Sequence, residues 1–445
     1  MRVLLIILIL SSFAAKSQEV ITSSYIDSLT YNQYINSEFK DLQQTGKKAI
    51  KNGIDFYYLR LRLGMSYYEK KNYEESLAHF YEAIYMNPND TIAKLYYYYA
   101  LLFSARNHQA YDLAISFNDN LKTKISFNDN KTNNLANSFS AIAATFGYIT
   151  NKNINAINKK NIKKDALYAE STFQDNSYFA NLYLENNLSN RLAISNNFGV
   201  YQINTIDIIQ SDFFSQISKN FSSNNFQYNL TGTYHTRKNW IINPSFSYYF
   251  ENSNYISTEY IITDDNYLFT DTEYKHNAIV AGLNIYKRLN NIMIGLNSHI
   301  GNLTKYKQRQ IGTEIIWYPF GNYFLYTKTS YSHLINNKNA QKIIAQSLGY
   351  KITHNLWQNI SFSYGNHQNH IKPGGFSVYN TIEPVSMIAN TNIIYYLNSN
   401  LSLIPSFEVQ QREWSAIRFY SSNDYKTEKK LYLNYIINFT IKWRF

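Results

Sequence analysis

The chain has 445 residues, room for more than one domain, and its 45% hydrophobic and 16% charged residues exclude wholesale disorder. Cysteine is absent, which excludes disulfides, thiolate metal sites and a lipid-modified cysteine, while the formal charge of +11 is spread along the chain, densest from Lys152 to Lys164, and reads as a solvated surface ahead of a site for an acidic partner. Aromatic residues reach 17%, with Tyr 43 and Phe 27, a composition suited to a boundary between oil and water. In chain order, "MRVLLIILILSSFAAKSQ" places Arg2 before an apolar run from Val3 to Leu10 and a small-residue stretch. This predicts a secretory signal over 1–17, with an apolar core too short to span a bilayer. No later segment is apolar enough for a membrane helix, so the mature chain can enter a membrane only as a barrel.

Residues 18–150 read as helical. In "DFYYLRLRLGMSYYEKKNYEESLAHFYEAIYMNPND", Leu63, Gly64 and Tyr67 are followed by Ser76, Phe80, Ala83 and Pro88. Gly64 lets a second helix approach the first, Tyr67 and Phe80 fill the space between them, and Pro88 cannot continue the helix. This segment resembles a tetratricopeptide repeat, with Arg60 and Ser76 departing from the family pattern. A second unit spans Thr91 to about Asn120. The resemblance implies that the first helix of each unit faces a concave ligand surface. By register that surface carries Tyr58, Leu61, Arg62, Met65, Tyr68 and Glu69, then Leu95, Tyr96 and Tyr99. Aromatic rings beside an arginine suit a peptide or a sugar chain. Leu135, Phe139, Ile142, Phe146 and Ile149 recur at spacings of four and three and predict a further, capping helix. The polar, basic stretch over 151–176 reads as a linker.

From 177 to 445 the period changes to two. "FQYNLTGTYH", "IMIGLNSHI" and "LSLIPSFEV" each alternate apolar and polar residues, as strands between lipid and a polar lumen must. About 14 strands are predicted, with 12 or 16 left open. They start near Tyr178, Arg191, Asp212, Asn225, Trp240, Glu273, Ile292, Gln308, Tyr323, Gln341, Leu356, Met387, Asn400 and Leu431. Short turns alternate with longer external loops, among them 251–272, 366–386 and 412–429. The ending "YIINFTIKWRF" resembles the assembly signal of outer-membrane barrels, carried by Phe439, Ile441, Trp443 and Phe445. A soluble β-sandwich is the competing reading.

The predicted lumen-facing set is Asn243, Ser245, Gln310, Glu314, Glu408, Lys442 and Arg444. His367 and His370 have the spacing of a metal pair, yet they fall in a polar external loop without acidic neighbours. Asp264, Asp265, Asp271 and Glu273 cluster in a second loop, with no calcium-loop spacing. His276, His299, His333 and His354 lie in or near strands, but no nucleophile motif accompanies them. No catalytic residue, metal site or cofactor is therefore assigned, and nucleic acid is not an expected partner.

The expected architecture is α plus all-β: periplasmic tetratricopeptide-like helices, then an antiparallel transmembrane barrel in the outer membrane. It resembles the outer-membrane exporters of polysaccharides, and barrels that bring lipoproteins to the surface. That resemblance implies a non-enzymatic protein in contact with outer-membrane lipid and the barrel-assembly machinery. Its helices would bind a periplasmic protein or polysaccharide. An outer-membrane lipid hydrolase and a plugged structural anchor are the alternatives.

Overall fold

The computed structural model describes residues 22–127, 139–151, 159–212, 216–261, 266–303, 307–336, 339–372, 383–421 and 424–445. The expected signal segment lies outside them. The chain divides into two units, Met1–Arg106 and Asn107–Phe445.

The first unit is helical: α1 (Ser23–Ile35), α2 (Phe39–Lys51), α3 (Tyr57–Glu69), α4 (Tyr73–Met86) and α5 (Thr91–Phe103). α1, α4 and α5 start on side-chain caps from Thr22, Asn72 and Asp90. Asn72 Oδ1 accepts from Glu75 N at 3.3 Å at the head of α4, and Asp90 Oδ1 accepts from Ala93 N at 2.9 Å at the head of α5. Pro88 stands just beyond the end of α4. Leu42, Leu59, Leu63 and Tyr67 form one buried cluster, and Leu61, Phe80, Ala83 and Ala93 the next. Two glycines set the spacing between helices. A Cβ on Gly64 would lie 2.6 Å from the Phe80 ring, and one on Gly46 2.7 Å from Leu63. The close approach read from Gly64 is thus real, and Phe80 is what fills it.

The second unit begins with α6 (Asn107–Ile115) and the short α7 (Asp119–Lys124). Fourteen antiparallel strands follow and close into a barrel, β14 pairing with β1. They are β1 (Phe139–Thr150), β2 (Tyr168–Asn187), β3 (Leu192–Ser211), β4 (Ile217–His235), β5 (Trp240–Ile261), β6 (Asn266–Leu289) and β7 (Ile292–Gly301). The circuit continues with β8 (Gln308–Trp317), β9 (Leu325–Asn336), β10 (Asn339–Lys351), β11 (Leu356–Gly365), β12 (Val385–Tyr396), β13 (Leu401–Phe419) and β14 (Tyr425–Arg444). Among the described residues no helix is long and apolar enough to cross a membrane.

The strand number agrees with the sequence reading, but two of its parts do not. The expected capping helix over 135–149 is β1, whose Ile142 pairs with Trp443 and Leu184; Leu135 lies outside the described residues. Ile142, Phe146 and their neighbours point to one face at a spacing of four, which is even and so satisfies a strand as well as a helix. The expected strands at Asp212 and Asn225 collapse into β4, an unbroken ladder from Ile217 to Tyr234 against β3. One strand was missed and one counted twice. The linker also ends early, since β2 starts at Tyr168.

Two expected loops, 251–272 and 412–429, are ladders instead. β5 and β6 pair out to Ile261 and Asn266, and β13 and β14 out to Phe419 and Tyr425. Where β1 has ended, Ile417–Phe419 of β13 pair with Tyr168–Glu170 of β2. Phe173, Ile208, Trp414 and Tyr432 pack into a buried cluster beside that seam.

The strands expose an apolar face, and on several of them the opposite face is polar and enclosed. Along β7, Ile292, Ile294, Leu296 and Ile300 are exposed, while Asn297 and His299 are buried. Along β14, Ile437, Phe439, Ile441 and Trp443 are exposed, as are Trp317, Tyr331 and Phe362 on other strands. Closure leaves no sheet edge, and the apolar band lies outside, the arrangement that lets strands sit in lipid.

Candidate functional site

The strand register places Asn243, Ser245, Gln310, Glu314, Glu408 and Lys442 on the enclosed face. Asn243 pairs with Asn284, Ser245 with Gly282, Gln310 with His299 and Glu408 with Asn390. These residues do different things. Glu314 accepts from the Tyr286 hydroxyl at 2.7 Å and lies 3.4 Å from Lys328 Nζ. Glu408 accepts from Gln410 at 2.6 Å, and Gln410 accepts in turn from Arg412 Nε at 3.0 Å. Arg412 also lies 3.8 Å from Glu383. Lys442 stands 5.4 Å over the Tyr183 ring.

Gln310 does not line open space. It donates to the Ile371 carbonyl at 2.6 Å and accepts from the Ile371 amide at 3.0 Å, while Gln308 donates to the Asn369 carbonyl at 3.1 Å. Ile371 packs with Tyr249, Ala278, Val280 and Leu303. The segment Asn366–Ile371, expected to be a polar external loop, therefore turns inward and is held against the inner wall of β5, β6 and β8. Both of its histidines are buried. His367 lies 2.8 Å from Ser363 Oγ, with its other ring nitrogen 3.1 Å from the Val385 carbonyl. These two contacts fasten the loop to β11 and β12. Burial holds the His370 imidazole well below its usual range, at about 3. Polarity alone hid this inward turn, because the two glutamines that reward it lie some sixty residues away.

Asp271 and Glu273 stand on β6 and bind Lys219 at 2.6 Å and Lys275 at 2.8 Å; Asp264 and Asp265 lie outside the described residues.

α6 is bound to the short-turn end of the barrel. Asp112 forms an ion pair with Arg191 in the β2–β3 turn, and the His108 ring stacks on His235 at 4.5 Å.

In the helical unit the expected groove residues come together, but several face one another. Tyr68 meets Tyr96 edge-on at 5.0 Å and Tyr73 at 5.3 Å, and with Met65 both lie against the Phe80 cluster. Leu61 is core and presents no surface. Arg62 binds Asp27 at 2.7 Å, with Tyr31 and Tyr58 at 5.3 and 5.6 Å from its guanidinium. Its charge is spent within the unit, on a helix that the repeat pattern did not highlight. Burial pushes the Tyr68 hydroxyl up to about 12. Burial, then Tyr96 and Glu69, raises the pKa of Tyr34 on α1. Tyr58 and Glu69 remain exposed, and Tyr99 half-buried.

No family model matches the sequence, and no curated protein matches it. Among solved structures the chain is similar to a Pseudomonas aeruginosa FadL homologue, at 9% identity and TM-score 0.42, covering 70% of this chain and 92% of that one. It is also similar to the Pseudomonas putida toluene transporter TodX, at 7% identity and TM-score 0.45, covering 75% and 93%. A bacterial polysaccharide outer membrane secretin follows, at 11% identity and TM-score 0.34, covering 68% and 98%. At TM-scores this low the likenesses carry no argument, and the barrel rests on its own strand pairing.

Proposed function

We propose that the protein is a non-enzymatic conduit of the outer membrane whose helices dock a periplasmic partner. The observation that carries this reading is the closed barrel with an apolar outside and an enclosed wall of amides, hydroxyls and paired charges. A protein needing only an anchor has no use for a wall so polar over so many strands. The short-turn end, where α6 is tied, faces the periplasm. The first unit then acts as a tetratricopeptide-like docking surface, offering Tyr58, Tyr99 and Glu69 to a protein or an emerging polymer. The inward segment Asn366–Ile371 restricts the lumen at the opposite end and must shift for cargo to pass.

Planar-bilayer recording of the purified chain tests this. The expected result is stepwise conductance, raised several-fold in Gln310→Ala, which releases both hydrogen bonds to Ile371. A sealed record for both proteins would leave the structural anchor as the better reading.

A further inference from the structure

The inner wall contains rows of asparagines in register. Asn243 on β5 pairs with Asn284 on β6, and Asn284 with Asn297 on β7. Asn197 on β3 and Asn229 on β4 form a second pair. Polar atoms in both rows lack hydrogen-bond partners: the Oδ1 atoms of Asn197, Asn243, Asn284 and Asn297, and Nδ2 of Asn229. Asn284 and Asn297 are 0% and 4% exposed. His299 lies two residues from Asn297 on the same face, 1% exposed, with neither ring nitrogen partnered. An enclosed polar group without a partner costs about 1–3 kcal/mol, so these atoms call for hydrogen bonds from water or a ligand in the lumen.

The sequence also makes room for the row. Gly312 pairs with Asn297, and a Cβ there would lie 2.6 Å from Asn297 Oδ1. A Cβ on Gly282 would lie 2.3 Å from the His299 ring and 2.5 Å from Ser245 Oγ. At these two places a missing side chain lets an amide and an imidazole lie along the wall. Asn197, Asn243 and Ser245 are partly exposed, so the row borders accessible space.

The chemistry narrows the ligand. Each carboxamide donates and accepts, as does neutral imidazole, and so does a sugar hydroxyl. The nearby carboxylate, Glu314, is matched by Lys328 Nζ at 3.4 Å. An acyl chain would leave the Oδ1 atoms of Asn243, Asn284 and Asn297 unpaired. We infer that the Asn243–Asn284–Asn297 row with His299 binds an uncharged, hydroxyl-rich ligand: a sugar or a short neutral glycan in the lumen. Its role in passage rests on the conduit reading; binding itself does not.

Calorimetry on the full chain in detergent tests it, with maltohexaose, cellohexaose and chitohexaose as probes and hexagalacturonate and dodecanoate as controls. Saturable binding of a neutral hexamer is expected, weakened at least tenfold in Asn284→Leu, which keeps the shape and removes both polar atoms. Heat-modified gel migration reports that the variant barrel is folded, and its melting temperature should equal or exceed that of the parent. No saturable binding of any neutral hexamer, equal binding by the variant, or tighter binding of either control overturns the inference. A chain that conducts but ignores the glycans keeps the conduit and loses the site. One that binds them and never conducts keeps the site and loses the conduit.

Discussion

The two units treat their buried polar groups in opposite ways. In the helical unit they are largely used up: Ser66 donates to Leu63 O at 2.8 Å, Ser76 to Tyr73 O at 2.7 Å, and Thr30 to Ile26 O at 2.7 Å. Buried Glu74 is matched by Arg106. The barrel wall instead leaves one polar atom of several asparagines without a protein partner, among them Asn284 Oδ1 and Asn297 Oδ1. Satisfied polar groups fix a shape, while unsatisfied ones keep a capacity for something else. On the function proposed above, the helical unit docks its partner with what is left exposed, and the barrel takes its ligand with what is enclosed.

Substitutions sharpen this contrast, and the largest effects belong to the groups that face lipid or are already paired. Leu296→Arg on the exposed face of β7 should cost about 2–4 kcal/mol at mid-membrane and abolish the folded band on an unheated gel. Its neighbour Asn297→Ala should leave that band in place. Arg106→Ala isolates the Glu74 carboxylate from its ion pair and should cost about 3 kcal/mol, read as a lower midpoint in the helical signal at 222 nm. Gly64→Ala forces Phe80 aside, for about 1–3 kcal/mol on the same signal.

The pH dependence comes next in size. Burial, then the Arg60 guanidinium, lowers the His79 pKa from 6.5 to about 4. Folding therefore favours the neutral ring. Its contribution is fully present above pH 6.5 and is lost as pH falls toward 4, roughly 1–3 kcal/mol in all. His79→Asn should flatten that slope in melts taken between pH 7 and 4. The smallest stability effect is expected for exposed Tyr58→Ala, within about 0.5 kcal/mol. If docking uses this surface, partner capture should fall while the melt stays put.

The sequence exposed the barrel wherever strand faces differed strongly, as in β7 and β14. It concealed β1, where Ala141, Ala143 and Gly147 make the enclosed face nearly featureless and the outer residues sit at even spacing. It split β4 at "SKNFSSNN", because a ladder continues through polar residues as readily as apolar ones; only the lipid demands contrast. The alternation along each strand was legible in the sequence. The asparagine rows were not, since register across strands joins residues forty apart, such as Asn243 and Asn284. The Arg62–Asp27 pair was hidden for the same reason, a partner on another helix.

Because the natural chain has no cysteine, single cysteines along β14 offer the most direct test of its central feature. Spin labels placed singly at 437 to 442 in protein reconstituted into liposomes would report collision with oxygen, which is lipid-soluble, and with a water-soluble nickel chelate. Oxygen should dominate at Ile437, Phe439 and Ile441 and the chelate at Asn438, Thr440 and Lys442, alternating with a period of two. Equal access of the chelate to both sets would mean that no lipid-facing wall exists, and the barrel would not span a membrane.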